Sequence, residues 1–243
     1  MRKNILLIGG SSGIGLETAK LLQDTHEVYV ASRSSESLSG LSVTHLPFDV
    51  TTDDLGTLPL PDKISGFVYC PGSINLRPFK GLKPDAFEAD FQINVIGFVK
   101  SLQSILAKLT PNSSVVMYST VAVKVGMPFH ASVAASKGAL EGLGKSLAAE
   151  LAPNVRVNVI APSITNTPMA SRFLNNETKM EKSAQRHPLK RVGNASDIAA
   201  MTKFLLDDES GWVTGQIFGV DVEEVLANSL LDSQNFWCTD WWG

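Results

Sequence analysis

The first chemistry legible in the chain follows its opening apolar run. Asn4 to Ile8 leads directly into Gly9-Gly10-Ser11-Ser12-Gly13-Ile14-Gly15, and Ile14 to Gln23 then carries helical periodicity. Glycines let the backbone approach a pyrophosphate, and the unpaired N–H groups at a helix start meet its negative charge. A merely tight turn would not require strand, glycines and helix in this order, so the context favours a phosphate cradle. Cys70 and Cys238 stand far apart, with no companion pair and no histidine at ligand spacing. That argues against both a disulfide framework and a zinc site, and no metal is expected.

Such a loop needs a scaffold, and the rest of the chain supplies one. Asn4–Ile8, Glu27–Ser32, Val43–Leu46, Ile64–Cys70, Ser114–Ser119, Arg156–Ile160 and Gln216–Val220 read as strands. Most are too continuously apolar for a half-exposed strand, which fits a parallel sheet covered on both faces. Ile14–Gln23, Pro84–Leu109, Ser132–Leu151 and Ser196–Leu206 read as helices, several with start signals such as Pro84. Repeated β-then-α order implies right-handed crossovers. The expected fold is α/β: a single-domain, Rossmann-type, doubly wound parallel sheet flanked by helices on both faces. With no linker or repeat inside residues 1–221, that span reads as one domain.

The 243 residues carry 24 acidic and 21 basic side chains, a formal charge of −3, and are 44% hydrophobic. This is ordinary globular composition. Scattered Lys and Arg provide no footprint for a phosphate backbone, so no nucleic-acid partner is expected. Nothing approaches the roughly 20 apolar residues of a membrane span or a secretory leader, so the expectation is a cytoplasmic protein without a membrane partner.

The glycine loop resembles the T-G-x-x-x-G-x-G loop of the short-chain dehydrogenases/reductases, with Ile8 where that family has threonine. The resemblance continues in order nearly to Asp221. Asp49-Val50 looks like the pair that holds the adenine ring. Cys70-Pro71-Gly72 takes the place of the family's N-A-G turn and keeps only Gly72. Asn94 matches the asparagine that kinks the central helix and positions a water in the proton relay. Pro162, Ile164 and Thr167, in Ala161-Pro162-Ser163-Ile164-Thr165-Asn166-Thr167-Pro168, resemble the segment that grips the nicotinamide carboxamide. His187-Pro188-Leu189-Lys190-Arg191-Val192-Gly193 and Thr214-Gly215-Gln216 match C-terminal signatures. Any one match is weak, but their joint order is specific. The implied cofactor contacts are Gly9, Ser11, Ser12, Gly13, Ile14, Gly15, Ser32, Arg33, Asp49, Val50, Gly72, Lys137, Pro162, Ile164 and Thr167. At the end of the second strand a carboxylate would suit NAD, whereas Ser32 followed by Arg33 suits the 2′-phosphate of NADP. NADP is therefore expected, with NAD the lesser alternative.

The family moves a hydride between nicotinamide and a carbonyl or alcohol while a tyrosine in Y-x-x-x-K handles the proton. A four-residue spacing puts the two side chains on one helix face. Here Ala135-Ser136-Lys137 aligns, and the tyrosine position is Val133. The family's serine falls on Thr120. The implied site is thus Asn94, Thr120 and Lys137 without the central acid. His130, whose imidazole titrates near neutrality, could replace it. Tyr118, two residues before Thr120 and so on the same strand face, is a second candidate. Ser132 reads as the helix cap. Lys137 also binds the nicotinamide ribose in the family, so it supports cofactor binding without proving turnover.

Three functions remain open: an atypical NADP(H) oxidoreductase acting on a small carbonyl or alcohol, a non-catalytic dinucleotide-binding sensor or scaffold, and catalysis without hydride transfer. The first leads. Asn166 to Lys182 occupies the place of the family's mobile substrate lid, and no charged specificity residue stands out in it. Gly138, Ala139, Gly142, Gly144, Ala148 and Ala149 smooth one helix, and the family's pairing there implies a homodimer or homotetramer. Residues 222–243 differ in character: three of the four tryptophans fall among the last seven residues. The family's last strand ends V-D-G-G, whereas Asp221 is followed here by Val222-Glu223-Glu224-Val225. Losing one G from consecutive GGN glycine codons produces that reading, so this tail is expected to be frameshifted or appended and to contribute nothing to function.

Overall fold

The computed structural model describes residues 2–220, so the expectations for Asp221 and for the 222–243 tail lie outside it. Seven strands form one parallel sheet: β1 (Asn4–Ile8), β2 (Glu27–Ser32), β3 (Val43–Pro47), β4 (Ile64–Tyr69), β5 (Leu109–Tyr118), β6 (Val155–Pro162) and, last in the chain, β9 (Ile217–Val220). Between the last two comes a small ladder of β7 (Thr165–Asn166) with β8 (Gly193–Asn194). The order across the main sheet is β3-β2-β1-β4-β5-β6-β9. Direction of winding therefore reverses between β1 and β4, and ligands of such sheets bind at the carboxyl ends of the strands beside that reversal.

Helices cover both faces. In chain order they are α1 (Gly13–Leu22), α2 (Pro84–Phe91), α3 (Gly97–Ile105), α4 (Ala122–Val125), α5 (Ala131–Leu151), α6 (Glu177–Gln185) and α7 (Ala195–Leu206). Alternation along β1 assigns its side chains: Ile5 and Leu7 join Ala19, Leu22, Ile198 and Leu205 on the α1–α7 face. Leu6 and Ile8 join Phe98, Leu102 and Leu140 on the α3–α5 face. Apolar burial on both sides explains why the strands read as continuous hydrophobic runs. No helix among the described residues is long and apolar enough to cross a membrane.

The helix expected over Pro84–Leu109 is interrupted. Residues Gln92–Ile96 form a π-helical turn between α2 and α3, and Leu106–Lys108 is a 3₁₀ turn leading into β5. The interruption is held by a contact from another element. Tyr69 at the end of β4 donates its hydroxyl to the Ile93 carbonyl at 2.5 Å, satisfying a backbone acceptor at the irregular turn. Gly97 makes room for that phenol, since a Cβ there would lie 2.3 Å from the Tyr69 oxygen. Such π turns reorient side chains at functional sites, and this one carries Asn94.

Candidate active site

A cavity of about 550 Å³ opens where the strand ends meet the segment after β6. Its floor is the glycine loop. Gly9 and Gly13 have positive φ (77° and 52°), and a Cβ on Gly15 would stand 2.7 Å from the Gly9 carbonyl oxygen. The loop is thus closed against its own helix, and α1 begins at Gly13 with Ser12 as its cap residue and no side-chain cap bond. Amide groups at that helix start remain for an anion. Gly9, Ser12, Gly13, Ile14, Gly15, Gly72, Pro162, Ile164 and Thr167 all line the cavity. Gly13 meets Thr167 directly, a Cβ on it lying 3.4 Å from the threonine side chain. These residues fit a pyrophosphate and the group beyond it.

The remaining expected cofactor residues cluster at the far end of β2. Ser11 Oγ lies 3.4 Å from Ser34 Oγ, tying the loop to that strand end. Ser32 donates its hydroxyl to the Ser34 carbonyl at 2.9 Å. Asp49 accepts from the Thr51 amide and hydroxyl at 2.9 and 2.6 Å, which lowers its carboxyl pKa, with the Arg33 guanidinium contributing a smaller lowering. Ser32, Arg33 and Asp49 thus share one end of the sheet, with Val50 adjoining. The sequence reading overlooked His45 there, whose Nε2 sits 3.0 Å from the Ser32 carbonyl and 3.2 Å from its hydroxyl.

At the other end, Lys137 is buried on α5 and donates Nζ to the Tyr118 carbonyl at 2.8 Å. Burial pushes its pKa down to about 8, opposed by the nearby Cys70 and Asp90. Asn94 donates Nδ2 to Ser136 Oγ at 2.9 Å, and its Oδ1 is buried with no hydrogen-bond partner among the described residues. A Cβ on Gly72 would fall 3.3 Å from that oxygen and 3.4 Å from Lys137 Nζ. Asn94, Lys137 and the turn after β4 therefore converge, and the unspent acceptor fits a site for a bound polar group. Thr120 lines the same cavity, its oxygen accepting from the Ala122 amide at 3.3 Å and leaving its proton to donate.

The three substitutes for the missing phenol separate. Val133 is buried at the cavity wall. Tyr118 is no candidate acid: its hydroxyl bonds Thr202 Oγ1 on α7 at 2.7 Å, on the opposite face of the sheet, and burial raises its pKa well above the usual range. Ser132 does not cap the helix, because His130 occupies the cap position and Ser132 instead donates to Asp90. His130 remains at the cavity wall. Its Nδ1 lies 2.7 Å from the Pro128 carbonyl, so that nitrogen carries the hydrogen and Nε2 is an acceptor. Burial holds its pKa below 6.5.

Two further features went unread in the sequence. Asp90, fully buried on α2, gathers Ser73, Asn75 and Ser132 as donors. Its spacing of four residues before Asn94, on the same helix face, was the available signal. The 166–182 lid also presents charge to the cavity: Arg172 and Lys179 line it, as does Arg186 just beyond the lid, and Arg172 bridges to the Ile74 carbonyl at 2.7 Å.

A family model described as Enoyl-(Acyl carrier protein) reductase matches residues 57–222. The fold is of the dinucleotide-binding, doubly wound α/β type. The chain belongs to the short-chain dehydrogenase/reductase family. It is similar to 2-(S)-hydroxypropyl-CoM dehydrogenase 3 of Xanthobacter autotrophicus, 30% identical over 241 residues, covering 89% of this chain and 94% of that one. It is equally similar to the 3-oxoacyl-acyl-carrier-protein reductase of Thermotoga maritima, 30% identical over 238 residues, covering 90% and 96%. Among solved structures, a short-chain glucose/ribitol dehydrogenase from Brucella melitensis superposes with a TM-score of 0.81 at 26% identity, covering 90% and 97%.

Proposed function

We propose that the protein is an NADP(H)-dependent oxidoreductase that interconverts a small carbonyl compound and its alcohol, using a proton-handling group other than tyrosine. The observation that carries this reading is the convergence of the glycine loop, Thr120 and Lys137 on one cavity, with Asn94 buried behind its wall beside Gly72 and Ser136. When bound, the nicotinamide supplies or accepts a hydride; positioning and proton handling fall to the chain. Thr120 donates its hydroxyl hydrogen to the substrate oxygen. Lys137, fixed by the Tyr118 carbonyl, holds ribose hydroxyls. His130 presents Nε2 as an acceptor and, being neutral above its lowered pKa, serves as a base for alcohol oxidation.

The preference for NADP rests on Arg33 beside Ser32, where no carboxylate terminates β2. The similar pig carbonyl reductase 2, 27% identical over 231 residues, carries NADPH in its name. The test is a titration: NADPH should bind about tenfold or more tightly than NADH, since a charged hydrogen bond contributes roughly 1.5–3 kcal/mol. Arg33→Ala should remove most of the difference, and equal affinities in the unaltered protein would end the assignment. The outer face of α5 is proposed to pair with its copy in a homodimer or homotetramer.

A further inference from the structure

Asp90 has no part in the roles above, yet it is 0% exposed and sits at the edge of the site. Its Oδ1 accepts from Ser73 Oγ at 2.5 Å and from Asn75 Nδ2 at 2.8 Å, and its Oδ2 accepts from Ser132 Oγ. Three side-chain donors on one carboxylate give a buried charge the partners it requires. Lys137 is near enough to interact with that charge. Ser73 is the link outward: it lines the cavity, donates to Asp90, and receives Asn94 Nδ2 at 3.3 Å. A hydroxyl on a cavity-lining residue that donates to a buried carboxylate can accept a proton from the cavity as it releases one to the carboxylate. The third donor, Ser132, is the residue immediately before Val133 on α5, so the carboxylate is anchored to the helix from which the phenol is missing.

We propose that Asp90, acting through Ser73, takes over the work of the absent tyrosine as first acceptor of the substrate proton, and that His130, on the same cavity wall, is the base that receives this proton from the relay on its way to solvent. The inference rests on the oxidoreductase reading. In alcohol oxidation the substrate O–H proton passes to Ser73 Oγ as the Ser73 proton passes to Asp90 Oδ1. The carbon-bound hydrogen leaves with its electron pair to an oxidised nicotinamide dinucleotide, the co-reactant. The substrate becomes a carbonyl compound and Asp90 a neutral acid, which returns its proton by the same hydroxyl to His130 and so to solvent. Ser73 contacts substrate and is the catalytic residue; Asp90 acts through it as a positioning and proton-storing residue.

The test compares wild type, Asp90→Asn, Ser73→Ala, the double variant, Val133→Tyr and Val133→Tyr/Asp90→Asn on a panel of secondary alcohols and activated ketones. Fluorescence titration of NADPH accompanies each. Asp90→Asn and Ser73→Ala should each lower kcat by about a hundredfold, in the range that a positioned proton-transfer group contributes, with nucleotide affinity unchanged in Ser73→Ala. The double variant should fall no further than either single one. Val133→Tyr should restore turnover to Asp90→Asn, which a merely structural carboxylate would not allow. The rate of wild type should depend on solvent deuterium fraction along a bowed curve, since more than one proton moves, and that of Val133→Tyr/Asp90→Asn along a different one. Should Asp90→Asn fail to fold, Ser73→Ala at the half-buried wall carries the test. Full turnover in Ser73→Ala or Asp90→Asn overturns the relay, as does an inactive wild type beside an active Val133→Tyr. Silence in both wild type and Val133→Tyr with NADPH still bound removes the oxidoreductase reading itself, and the relay with it.

Discussion

At His130 the direction of a single hydrogen bond sets the chemistry available. Its Nδ1–H is spent on the Pro128 carbonyl, so only Nε2 faces outward, and burial disfavours the imidazolium. A histidine with a lowered pKa is a poor acid at neutrality and a serviceable base. The sign follows: the active neutral form is complete above pH 6.5 and is lost as pH falls through the lowered folded value. Alcohol oxidation measured from about pH 8 to 5 should therefore decline on the acid side, below the ordinary histidine value of about 6.5. His130→Ala should lower the rate near neutrality and flatten that acid limb. An acid limb of the same shape and midpoint in His130→Ala would assign it elsewhere.

At the scale of elements, α5 shows how one helix divides its small residues between two uses. A Cβ on Gly144 would stand 2.8 Å from Val159 Cγ2 on β6, so this glycine exists for close packing on the sheet, whereas nothing lies within 4 Å of a Cβ on Gly142. Gly144→Ala should destabilise by about 1–3 kcal/mol through overpacking. In the isolated protomer, Gly142→Ala should stabilise by up to about 1 kcal/mol through helix propensity. Thermal or urea unfolding of the two variants reads both signs. The strands and the glycine loop were legible in the sequence because parallel strands buried on both faces must be apolar throughout and a phosphate loop must be glycine-rich. The break in the helix after Pro84 was not, because its cause is Tyr69, distant in sequence and adjacent in space. Asp90 escaped for the same reason: Ser73, Asn75 and Ser132 come from two other segments. These cations escaped because a polar segment reads alike whether its charges border solvent or cavity, and only the fold sets Arg172, Lys179 and Arg186 along the cavity wall.

Across the whole molecule, two expectations concern what lies beyond the protomer's own core. The family-model match ends at residue 222, and Val222-Glu223-Glu224-Val225 follows in place of the family's glycines. Deleting 222–243 should leave NADPH affinity unchanged, because every cofactor contact assigned above lies before that segment; a weakened affinity on titration would give the tail a role. The proposed self-association would run through α5. Its exposed side presents Ala135, Gly142 and Ala149, with half-buried Ala139 between them, and a smooth surface of this kind lets a second helix approach closely. A two-fold axis would set the same residues of both copies against each other, so one substitution is felt twice. Gly142→Trp should therefore convert the proposed homo-oligomer to protomers, read as a fall in mass by light scattering after gel filtration. NADPH binding should persist, since the glycine loop and Lys137 face the cavity and not this surface. A wild-type protein that elutes as a protomer, or an oligomer indifferent to Gly142→Trp, would mean that this helix face meets no copy of itself.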